Sequence, residues 1–257
     1  MGVGKKMLRF RLRNTILSPA MFIAIVGLYL SMVVSVWPFA NCDLLYNYQY
    51  TISLGFTAFF IPVASVLPFC NFQHLLTTGK STQFCLIRSK KSSYVFSTCI
   101  SAVTSGMIVM VGAFVLFTIT CLAYSPSGTA YIGNGLFTYS NTFYAPLMRR
   151  PLALYLLMGG IFAINGAMWP MVSMLCFAFT SNLYLAISVP FITRTLMGYL
   201  TQLLGLYVLD PAQLLLKGVA MQWPGGGIPY LLLYTGVAAL LCGGVWTIGE
   251  YRRLRYG

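Results

Sequence analysis

Six stretches of this chain, at about 20 to 37, 51 to 70, 94 to 123, 152 to 179, 183 to 205 and 229 to 248, are long and apolar, and Arg194 is the only charge in any of them. A hydrocarbon core of roughly 30 Å is crossed by about 20 residues of helix, so each stretch reads as a membrane span. Lipid offers the backbone no hydrogen-bond partners, and a helix satisfies its own groups within each span. The expected fold is an all-α integral membrane protein, a six-span helical bundle, with 1-257 as a single transmembrane domain. Composition agrees: at 58% hydrophobic and 7% charged residues, with mean hydropathy +0.80, a soluble globule would lack the polar surface to cover itself. The first span has a basic flank, but its apolar core is too long for a signal peptide. No small-x-small cleavage site precedes Trp37-Pro38, so this span is expected to be retained.

Six spans put both termini on one side, and the basic residues say which. Lys5, Lys6, Arg9, Arg11 and Arg13, then Lys80, Arg88, Lys90 and Lys91, then Arg252, Arg253 and Arg255 fall on the side of the termini, 12 of the 16 Lys and Arg. Only Arg149, Arg150 and Lys217 fall opposite. Basic loops stay in the cytoplasm, so the expected topology is cytoplasmic N- and C-termini in a cell membrane, with a bacterial plasma membrane as the setting. The net charge of +13 then belongs to an inner membrane face, and no nucleic-acid partner is implied.

Chemistry within the chain is sparse. Gly79-Lys80-Ser81 looks like the end of a phosphate-binding loop, but that motif needs a glycine where His74 stands, so ATP binding by this chain is not expected. The cysteines at 42, 70, 85, 99, 121, 176 and 242 are scattered with no C-x-x-C spacing, which argues against metal or disulfide roles. The acids are Asp43 and Asp210, in external segments, and Glu250 at the inner end of the last span. None is placed for ion coupling at mid-membrane, and a single His supplies no catalytic cluster. The chain is therefore read as not an enzyme, with energy supplied by a partner. Two external segments, about 124 to 151 and 206 to 228, are long. In the second, Asp210 as N-cap, Pro211 at the first helical position and Gly218 as the stop predict a short external or re-entrant helix. The Tyr-rich first segment suits interfacial anchoring, or an amphipathic peptide or lipid cargo.

The one substantial internal loop on the cytoplasmic side is ordered in its pattern. Phe72, Leu75 and Leu76 lead to Thr77-Thr78-Gly79, then Phe84, Leu86 and Ile87, then the basic run Arg88-Ser89-Lys90-Lys91 and Tyr94. Phe84 and Arg88, four apart, share a helical face that suits a cytoplasmic partner. A loop resting on anionic lipid is the alternative reading. The run "FQHLLTTGKSTQFCLIRSKKSSYVFSTCISAVTSGMIVMVGAFVLF" resembles the permease subunits of type-2 ABC exporters, in which this loop carries the coupling helix that seats in the ATPase subunit. "KKMLRFRLRNTILSPAMF" is similar to that family's interfacial helix before the first span, "FTSNLYLAISVPFITRTL" to the start of its fifth span, and "LDPAQLLL" to part of its re-entrant pair. The chain departs from many relatives before Gly79, where Asn71 and Gln73 stand in place of an acid.

The resemblance implies that two permeases, identical or paralogous, form an export path driven by separate ATPase subunits, which bind the ATP and Mg; no cofactor is expected in this chain. Phe72, Gly79, Lys80, Phe84 and Arg88 would form the ATPase interface. Arg194, with Gln202 two turns outward, would line the path; alternatively Arg194 snorkels or bonds to carbonyls freed by Pro190. A membrane-embedded binding or assembly protein and a secondary transporter are the competing functional readings. On the N-terminal segment, Leu8, Leu12 and Ile16 share one helical face and Phe10 lies on the other side.

Overall fold

The computed structural model describes residues 3–37, 47–48, 51, 56–79, 91–124, 151–180, 182–206 and 228–256. Their regular structure is all helical: α1 Val3–Ile16, α2 Pro19–Val36, α3 Thr57–Thr78, α4 Lys91–Tyr124, α5 Pro151–Phe179, α6 Leu183–Leu203 and α7 Ile228–Tyr256. The last six of these are long and apolar enough to cross a membrane, so the chain is a multi-pass membrane protein.

Local chemistry sets several boundaries. Ser18 caps α2, its hydroxyl accepting from the Met21 N–H at 3.2 Å, and Pro19 occupies the first turn, where its missing N–H costs nothing. Asn182 caps α6 by accepting from the N–H groups of Tyr184 and Leu185. The same helix ends in a Schellman motif: Leu206 N–H reaches the Thr201 carbonyl at 2.7 Å and Gly205 N–H reaches Gln202 at 3.2 Å. That geometry needs a left-handed residue, and Gly205 supplies it at φ +68°.

The second span differs from its sequence expectation of 51 to 70. The helix is displaced toward the C-terminus and carries Asn71, Gln73 and His74 into its last turns. Gln73 is buried and accepts a hydrogen bond from Arg11, so a polar residue continues the helix because another helix covers it. The final helix likewise runs on to Tyr256, past the expected 248, because apolarity marks the crossing and not the helix end.

Helix α5 is the hub, packing on α4, α7, α3 and α6, while α2 rests on α3 and α4. The α4–α5 crossing is the tightest. A Cβ built on Gly106 would lie 2.1 Å from the Gly166 carbonyl oxygen, and one on Gly166 would lie 2.5 Å from the Gly106 oxygen. Small residues let backbones approach this closely, which is how helices associate in lipid without a hydrophobic driving force between them. Pro170 explains the partner: lacking an N–H, it leaves the carbonyl four residues back, that of Gly166, without its helical bond. This carbonyl turns toward the Gly106 backbone.

Pro190 frees a carbonyl in the same way, that of Ala186. The buried Ser173 hydroxyl of α5 donates to it at 2.7 Å, tying α5 to α6. At the end of the bundle remote from α1, Tyr48 is buried, stacked on Phe114 at 4.8 Å and edge-on to Phe117 and Phe162, with its hydroxyl bonded to Thr118.

Candidate functional site

Among the described residues, a cluster of buried polar groups lies where α1 runs along the end of α3 and the first turns of α4. Met7, Arg11 and Thr15, spaced by four, are the buried stripe of α1, whereas Lys5, Lys6, Arg9 and Arg13 are exposed. The apolar face expected from sequence, Leu8, Leu12 and Ile16, is only half-buried and flanks that stripe. Arg11 is 0% exposed. Its guanidinium lies over the Tyr94 ring at 4.4 Å, and Nη1 donates to Gln73 Oε1 at 3.2 Å. Nε and Nη2 are buried with no hydrogen-bond partner. Thr15 and Ser101 share a hydroxyl–hydroxyl bond at 3.1 Å, and Phe10 meets Phe72 edge-on at 6.2 Å.

Arginine does not deprotonate in proteins, so Arg11 is a buried cation. Stacking and one neutral acceptor offset part of its desolvation, but a buried charge without a counter-ion still costs several kcal/mol. The sequence reading placed Arg11 with the surface cations of the N-terminal segment. Its spacing with Met7 and Thr15 was the available signal, and a lone Arg on a short helix is indistinguishable from a solvated one until the opposing helix is in place.

The residues expected to face an ATPase subunit divide. Phe72 is buried beneath Phe10 of α1. Gly79 is exposed and closes α3, its N–H bonded to the Leu75 carbonyl at 3.1 Å, while Thr77 and Thr78 both donate to the His74 carbonyl. Lys80, Phe84 and Arg88 lie outside the described residues, as does the short helix expected at Asp210 to Gly218. Arg194 and Gln202, expected to line a path two turns apart on one span, both lie on α6 and differ in burial. Ala186, Pro190, Arg194 and Thr201 form the buried stripe of α6, and Gln202 is exposed beside it. Arg194 reaches over the Phe59 ring at 5.6 Å, level with the first turn of α3. The Ala186 carbonyl freed by Pro190, eight residues before Arg194 on α6, is taken by Ser173 of α5.

Among the described residues no group of three or more His, Cys, Asp or Glu side chains is placed to hold a metal ion. Cys70, Cys99, Cys121, Cys176 and Cys242 are unbridged within the spans. Compared with protein families, with curated proteins and with solved structures, the chain has no match.

Proposed function

We propose that this chain is the membrane-spanning subunit of an ATP-driven exporter of the type-2 ABC kind, acting with a second permease, identical or paralogous. Separate ATPase subunits bind the ATP and Mg and do the hydrolysis; the cargo is peptide or lipid-like, and the termini face the cytoplasm. The observation that carries this reading is the seat of α1. Segment 80–90, where the coupling helix is expected, is bounded by Gly79 at the end of α3 and Lys91 at the start of α4. Helix α1 grips both of those helices, through Arg11 to Gln73 and through Thr15 to Ser101. A displacement of the segment by an ATPase would therefore pass to α1, and through the Leu17-Ser18 turn to α2.

Co-purification with an ABC ATPase subunit tests the proposal. ATPase activity should rise when the two are joined, and Phe84→Ala with Arg88→Ala should weaken the association while leaving membrane insertion intact. Association at wild-type yield with normal transport in that double variant removes Phe84 and Arg88 from the interface. No stimulation by any ABC ATPase returns the chain to the class of membrane-embedded binding proteins. Arg194→Gln separates a path-lining role from a structural one: lost export with normal assembly and hydrolysis supports the path, and unchanged export makes Arg194 structural.

A further inference from the structure

The two unpartnered nitrogens of Arg11 are not an arbitrary pair. Nε and Nη2 form the side-on edge of the guanidinium, whose parallel N–H groups match two oxygens of a single oxyanion. Nη1, which lies off that edge, is the nitrogen that donates to Gln73, and the Tyr94 ring fixes the plane. These two contacts orient the fork and leave its two-pronged edge unused. The chain has only three acids, Asp43, Asp210 and Glu250. Asp43 and Asp210 lie outside the described residues, and α7, which carries Glu250, packs chiefly on α5. The exposed Lys5, Lys6, Arg9 and Arg13 on the outer side of α1 would gather anionic headgroups or soluble phosphate around this end.

We propose that Arg11, held by Gln73 and Tyr94, is the binding site for a phosphate oxyanion beneath α1, and that α1 is the flap that closes over it. The phosphate comes from an anionic phospholipid or from solution. The site does not depend on the exporter reading, because it needs only this chain and a phosphate.

Thermal unfolding of the delipidated full chain in detergent tests it, with phosphatidylcholine, phosphatidylglycerol or inorganic phosphate added to wild type, Arg11→Met and Arg11→Lys. Without phosphate, Arg11→Met is expected to unfold at a higher temperature than wild type, because it removes an unpaired buried charge at similar length. Phosphatidylglycerol should reverse that order by raising the wild-type Tm and not that of Arg11→Met. Arg11→Lys, a point charge without the fork, should keep roughly half the rise or less. A control with Lys5→Gln and Lys6→Gln should need more lipid yet reach the same maximal rise. An equal rise with inorganic phosphate assigns the source to solution; a rise with phosphatidylglycerol alone assigns it to lipid. The proposal is overturned if both Arg11 variants rise as far as wild type, if neither phosphate source raises the wild-type Tm, or if an Arg11-dependent rise follows only addition of a protein partner, which would make the anion a carboxylate. Should Arg11→Met fail to fold, the comparison of wild type with Arg11→Lys decides.

Discussion

Helices α5 and α7 have nearly equal mean hydropathy over their most apolar windows, yet 72% of that window is buried within the protein in α5 and 11% in α7. The difference lies in their irregularities. Helix α5 carries Gly166 into the crossing with Gly106, buries Asn165 and Trp169 bonded to each other at 3.1 Å, and spends Ser173 on the Ala186 carbonyl. Helix α7 meets α5 at Gly243, facing Met171, and buries Trp246, while Leu232, Leu233, Leu240, Leu241 and Ile248 are exposed. In lipid an outward leucine costs nothing, because the tails are as apolar as a protein core. Hydropathy therefore qualifies a helix to cross the membrane without deciding how much protein surrounds it.

The same substitution on the two helix systems should break most sharply. Gly106→Val places a side chain on the Gly166 carbonyl, and because backbone cannot give way as a side chain does, the cost should exceed the ~1–3 kcal/mol of ordinary overpacking. Loss of the monodisperse peak in size-exclusion chromatography is the expected result; a normal peak would show that the crossing is looser than described. Trp246→Ala comes next, at about 3 kcal/mol, since it empties the one indole with which α7 is fastened into the bundle. Its signature is a lowered Tm with α7 more open to protease, and an unchanged Tm would mean that lipid refills the space.

Ser173→Ala should cost about 1–2 kcal/mol by orphaning the Ala186 carbonyl in an apolar setting. Pro190→Ala restores the missing N–H, so the Ser173→Ala penalty should largely vanish in that background, and a double-mutant cycle on Tm measures the coupling. Additive effects would detach Ser173 from the proline. The smallest effect is reserved for Gly236→Val on α7, where a new Cβ meets nothing within 4 Å. A change within about 0.5 kcal/mol is expected there. A large loss of stability or of assembly would reveal a second protein surface packed on that face.

Much of the architecture was legible from residues alone. The apolar runs located all six crossings, because hydropathy acts on residues close together in the chain. Displacement of the second span was not legible, because the reason Gln73 can be buried is an arginine 62 positions away. The α1 seam escaped for the same reason: Arg11 and Arg9 are chemically identical in the sequence, and only their opposite places on the helix separate a fully buried cation from a solvated one.

What the sequence determined by itself is the number of helices long and apolar enough to cross a membrane and where each lies along the chain, because transfer into hydrocarbon acts on residues close together in the chain. What only the tertiary structure decided is which prolines are satisfied and by whom, which glycines meet, and which arginine is buried with two of its nitrogens unpartnered. Those depend on groups brought together by packing, where a displacement of one helical turn changes every pairing and leaves the hydropathy of each span as it was.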